Sequence, residues 1–108
     1  MSKYYKVSKS KHPESTQHIL DAQAAEQPKT LTINRAVAAQ NRKDSLRGVK
    51  TKTGKDRDEY PPAMFKEGGS NASVRHIDPS DNRSSGSSIG AQCRKLPCGT
   101  QVTMVVVD

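Results

Sequence analysis

The sequence predicts a small α+β domain, and three observations carry that prediction. The chain has 108 residues, the length of one domain. Segments that alternate like strands and segments with helix signals follow one another in mixed order, with no internal repeat. Large apolar residues are few: four Leu, four Ile, eight Val and one Phe make 17 of 108, about 16%. That lies under the roughly 20% below which a highly charged chain tends to stay unfolded. The fold that results must have a thin core.

Residues 1–12 carry Lys3, Lys6, Lys9 and Lys11 and lack the apolar run of a signal peptide. They read as a flexible basic arm or an expression remnant, leaving 13–108 as the domain. Ser15 to Glu26 predicts a helix, with Ser15 as its cap, Ala, Gln and Glu inside it and Pro28 as its stop. Thr30 to Ile33 alternates as a short strand. Ala36 to Arg47 predicts a second helix, with Gly48 at its C-terminal boundary. Val49 to Lys55 is a basic, turn-rich loop. Asp56 to Met64 cannot be helical through its centre, because Pro61 and Pro62 forbid it.

After a glycine turn over Lys66 to Ser70, Ala72 to Ile77 alternates as a strand. Pro79 to Lys95 is rich in Ser and Gly, yet Pro79-Ser80-Asp81 is a good helix start, so a helix with a loose middle is expected. Pro97 to Thr100 is a turn. Val102 to Val107 reads as a strand buried on both faces. The expected core is Ile19, Leu20, Leu31, Ile33, Leu46, Val74, Ile77, Ile89, Val102, Met104 and Val106.

Composition narrows the function. No run approaches the roughly 18 apolar residues of a membrane span. Eighteen Lys and Arg against eleven Asp and Glu give a net charge of +7, which makes polyanions the expected partner. One Phe, three Tyr and no Trp leave little to stack unpaired bases on, so contacts to the phosphate backbone fit best. The plainer use of such a charge is solubility. Cys93 and Cys98 are the only cysteines, and His12, His18 and His76 are scattered, which argues against a zinc site. The cysteine pair reads as a short-loop disulfide or as two inert thiols.

Two polar knots stand out: Asp56-Arg57-Asp58-Glu59, and Asp78 with Asp81, Asn82 and Arg83. Gathered carboxylates hold hard cations such as Mg²⁺, Ca²⁺ or Mn²⁺. A cation beside a phosphate polarises it, a carboxylate takes a proton from water, and an arginine steadies the added charge. The alternative is a solvated turn of local ion pairs.

Taken together, DRDEYPPAM, KEGG, SDNR-x-x-GS and PCGTQV resemble the NucA/NucB deoxyribonucleases, small bacterial secreted DNases. HILDA, TINR and RKDSLRG-x-x-TK-x-G stand upstream in the same order, so the likeness covers roughly Pro13 to Val107. The resemblance implies a ββα-metal motif, with a thin mixed sheet packed by short helices. It also implies a largely sequence-nonspecific endonuclease that uses a divalent metal, Mg²⁺ or Mn²⁺. The wider group has Asp-Arg-Gly-His where Asp56-Arg57-Asp58-Glu59 stands here, so the base should be a carboxylate: Asp58 first, Glu59 second. On a strand these two point to opposite faces. Asn82 matches the metal-binding Asn, and Asp56 belongs to the same metal group.

Gln92 falls near where a second ligand often stands, although ten helical residues put it about 80° away from Asn82. Glu67 is a ligand or a loop brace, and Arg57 and Arg83 are candidates to grip phosphate. Where relatives carry a Trp, this chain has Ser88-Ile89; where they tend to have Tyr, it has His76, a surface strand residue or a stand-in catalytic one. Cys93 and Cys98 are not obviously a family pair.

The expected partner is DNA, contacted through its backbone by a monomer without a membrane. The setting is outside the producing cell, as a secreted DNase or as the catalytic part of a delivered toxin. A toxin would have an acidic inhibitor or immunity protein. The competing class is a non-catalytic DNA-binding module or a degenerate nuclease, against which the carboxylates of DRDE speak, because they repel phosphate unless a cation lies between.

Overall fold

The most apolar segment takes the central place. In the computed structural model, which describes residues 3–108, strand β5 (Gln101–Val107) lies between β1 (Lys3–Ser8) and β2 (Thr30–Thr32). β1 runs parallel to β5, with Tyr5 opposite Met104 and Val7 opposite Val106. β2 runs antiparallel to it, with Leu31 opposite Val102. The sheet is therefore mixed and thin. Val102 and Met104 are buried and their neighbours along β5 only half-buried, so one face of the strand is covered rather than both.

β1 corrects the expectation of a flexible basic arm over residues 1–12. Tyr5 and Val7 are fully buried while Tyr4 and Lys6 point outward, a period of two that the lysines had masked. Met1 and Ser2 lie outside the described residues.

Helix α1 (Pro13–Ala24) begins two residues before Ser15, with Pro13 at its first position; His12 stands at the cap position, but its ring bonds the Ser84 hydroxyl at 3.0 Å and not the amides of the first turn. Its cap comes from elsewhere. The buried Asp81 accepts from the Glu14 and Ser15 amides at 2.8 and 3.1 Å, while the Ser15 hydroxyl donates to Ser85. A 3-10 turn (Arg35–Val37) leads into α2 (Ala38–Leu46), and Gly48 follows at φ +77°, a left-handed value that suits a residue without Cβ.

β3 (Asp56–Tyr60) and β4 (Ser73–Ile77) form an antiparallel hairpin, with Asp58 opposite Arg75 and Tyr60 opposite Ser73. Helix α3 (Pro79–Cys93) follows directly and runs unbroken through its Ser- and Gly-rich middle. Asp78 caps it by accepting from the Asp81 amide. Asp81, Ser85, Ile89 and Cys93 are its buried residues, a stripe at four-residue spacing. That stripe explains why a segment of low helix propensity folds as a helix.

The core gathers Tyr5, Val7, Ile19, Leu31, Ile33, Tyr60, Phe65, Ile89, Val102 and Met104. Leu20 departs from expectation at 39% exposed, and Leu46 and Val74 are half-buried. Tyr60 is buried at no polar cost, because its hydroxyl donates to the Pro28 carbonyl and accepts from Gln23. Among the described residues no helix is long and apolar enough to cross a membrane.

Candidate active site

β3 has a partner strand on one edge only, and its other edge faces a cleft of about 540 Å³ between α2 and α3. Asp56, Arg57, Asp58 and Glu59 line it, together with Arg42 and Leu46 of α2, Asn82, Arg83 and Gly86 of α3, and Pro62 to Met64 below the hairpin. Asn41 fixes that lower wall by donating to the Ala63 and Phe65 carbonyls. Gly68 lies so close to the same segment that a Cβ there would meet the Pro62 carbonyl oxygen at 2.9 Å.

Strand alternation sorts the four charged residues of β3. Asp56 and Asp58 face α3 and α1. Asp56 accepts from Asn82 Nδ2 at 3.0 Å and from Arg83 Nε and a terminal nitrogen at 3.1 and 3.2 Å. The Asn82 bond first, and then Arg83, hold the Asp56 carboxyl below the usual aspartate range. Because Asn82 spends its amide nitrogen on Asp56, its Oδ1 is left for the cleft. Asp58 Oδ2 lies 2.7 Å from Nδ1 of His18, a fully buried residue of α1 whose Nε2 is 2.9 Å from the Ser73 hydroxyl.

Arg57 and Glu59 face α2. Arg57 donates to the Val49 carbonyl. Glu59 accepts from the Ser45 hydroxyl and lies 3.9 Å from Arg42 Nε. Burial raises the Glu59 carboxyl above its ordinary pKa, against the pull of Ser45 and Arg42.

A family profile described as Deoxyribonuclease NucA/NucB matches residues 4–105. The chain belongs to that family. It is also similar to the DNA-entry nuclease of Bacillus subtilis (strain 168), with 44% identity over 96 residues that cover 89% of this chain. The match takes in 65% of that relative, so the chain spans somewhat less than two thirds of its length.

Within this NucA/NucB member, the residues expected from the sequence divide into two sets. Asp56, Arg57, Asp58, Glu59, Asn82 and Arg83 come together around the cleft. Glu67 and Gln92 do not line it. Both Glu67 oxygens accept from Thr32, one from its amide and one from its hydroxyl, so Glu67 braces β2. Gln92 clips the edge of β1, accepting from the Lys6 amide and donating to the Lys6 carbonyl. His76 points to the loop side, bonded to the Lys50 carbonyl.

Cys93 and Cys98 are both free thiols, the first buried and the second exposed. The backbone amide of Arg35 holds the Cys98 thiol below its ordinary pKa, and burial raises that of Cys93. Sequence reasoning missed His18, Ser45 and Arg42. His18 stood among three scattered histidines, and nothing local joins it to a carboxylate forty positions away.

Proposed function

We propose that the chain is a divalent-metal-dependent, largely sequence-nonspecific DNA endonuclease in which Asp58 takes the proton from the attacking water. The observation that carries this reading is a shared face: Asp58 and the Asp56–Asn82 pair stand on the same side of β3 along one cleft. Glu59 faces the other way and is engaged by Ser45 and Arg42, which makes it second choice.

Among the described residues no group of three or more His, Cys, Asp or Glu is set to hold a metal alone. The donor set nevertheless fits Mg²⁺ or Mn²⁺, which keep several waters and take one or two protein oxygens beside a substrate phosphate. Asn82 Oδ1 would supply the protein oxygen, and Asp56 aims that amide. Such a cation, when bound, polarises the scissile phosphate and eases deprotonation of water. Asp58 receives the proton on a carboxylate oxygen. Arg57 and the largely exposed Arg83 lie where they can grip phosphate oxygens, and the net charge of +7 favours the DNA backbone as a whole.

The relative's name, DNA-entry nuclease, supports DNA as the substrate. We assign the action to DNA outside the producing cell, by a monomeric secreted DNase or by the catalytic part of a delivered toxin with an acidic immunity protein. The test is plasmid cleavage with Mg²⁺ or Mn²⁺, with and without EDTA. EDTA should abolish it, and Asp58→Asn and Asn82→Ala should each slow it by about 10²-fold or more. Undiminished cleavage in EDTA would overturn metal dependence, and DNA binding without turnover in any metal would make the chain a binding module.

A further inference from the structure

His18 has a place in the reaction that its burial conceals. It sits at the middle of α1, fully buried, and reaches both strands of the hairpin: Nδ1 to Asp58 on β3 at 2.7 Å and Nε2 to Ser73 on β4 at 2.9 Å. A carboxylate only accepts, so Nδ1 carries the proton and donates it to Oδ2. Nε2 in turn is hydrogen-bonded to the Ser73 hydroxyl. The chain of bonds runs from hydroxyl to imidazole to carboxylate and ends in the cleft, where the Asp58 side chain is 16% exposed. Oδ2 is thus occupied, and Oδ1 is left to face water.

We infer that His18, backed by Ser73, is the positioning residue for Asp58, fixing the carboxylate rotamer so that one oxygen is presented to the cleft. This inference rests on the reading of Asp58 as base. Surface aspartates are free to change rotamer, and an imidazole locked by partners on both nitrogens removes that freedom before substrate arrives. Among the described residues, no other side chain is hydrogen-bonded to the Asp58 carboxylate. Its neighbours on the same face, Asp56 and Tyr60, have their own partners in Asn82, Arg83, Gln23 and Pro28.

The experiment compares His18→Leu, His18→Asn, Ser73→Ala and Asp58→Asn, with plasmid cleavage kinetics and thermal melts for each. His18→Leu should lower kcat on the order of 10²-fold with KM for DNA nearly unchanged. His18→Asn returns an N–H near the Nδ1 position and should recover much of that loss, although it fills the apolar surroundings less well. Placed in the Asp58→Asn background, either His18 change should cost little further activity, because residues acting as a unit are not additive. Activity that follows Tm instead of the donor, with Leu better than Asn, would overturn the inference, as would full additivity. If the His18 variants do not fold, Ser73→Ala decides: lowered kcat at unchanged KM supports the relay, and wild-type kcat overturns it. Full activity in Asp58→Asn would instead sink the reading of Asp58 as base, and so keeps the two failures apart.

Discussion

Asp58 and Glu59 are chain neighbours in different surroundings, and a carboxylate's behaviour follows its surroundings. Asp58 is tied to an imidazole, whereas Glu59 is packed under α2 with a hydroxyl and a distant guanidinium. Burial raises the Glu59 pKa above its ordinary 4.5, so the stability it contributes is complete below 4.5 and is lost as pH rises through the folded-state value. Glu59→Gln keeps an acceptor for Ser45 and removes the charge. It should therefore raise Tm near neutral pH, with the gain fading as pH falls to 4.5 and below. Melts across that range check this, and a Tm below wild type at neutral pH would contradict it. The residue types of the site were legible in DRDE and SDNR. Which partner each would take was not, since Glu67 and Gln92 looked like ligands until Thr32 and Lys6 claimed them.

Elements show the same division. The start of α3 is written in Asp78-Pro79, but its continuity through Gly86 and Gly90 comes from the buried stripe of Asp81, Ser85, Ile89 and Cys93. A Cβ on Gly90 would meet nothing within 4 Å. Gly90→Ala should accordingly stabilise the protein by about 0.5–1 kcal/mol, readable as a higher Tm or denaturant midpoint. An unchanged or lower Tm would mean that the backbone there cannot accept a side chain. β1 is the opposite case, a strand that looked like a tail. It buries Tyr5 and Val7 against β5, and each buried side chain of this size is worth about 1.5–3 kcal/mol. Removing residues 1–8 should thus take away a large part of the roughly 5–15 kcal/mol typical of a whole domain. The expected result is a melt that is broad or shifted far down; an intact melt would return the segment to the status of an arm.

At the scale of the whole molecule, part of the positive charge borders the cleft, where Arg42, Lys55, Arg57 and Arg83 stand beside Asp56, Asp58 and Glu59. Thr51 and Lys55 of the loop before β3 line one rim, and Lys50 and Lys52 are exposed beside them. If DNA lies along that rim, Lys50→Gln and Lys52→Gln should each weaken binding and lower the salt slope of log Kd by roughly one. Anisotropy titrations in EDTA at several salt concentrations measure this, and slopes equal to wild type would move the DNA path elsewhere. By itself the sequence determined the α+β class, most element positions, the basic surface and the chemical types at the site. These follow from periodicity, turn residues and charge, which act over a few neighbouring positions. Only the tertiary structure decided that β1 belongs to the sheet, that Asp81 caps α1 from 66 and 67 residues away, and that His18 holds Asp58. Such bonds join groups far apart in the chain, so they leave no local pattern to read. With few large side chains to fill a core, this fold depends on such polar ties to a degree that its composition alone did not reveal.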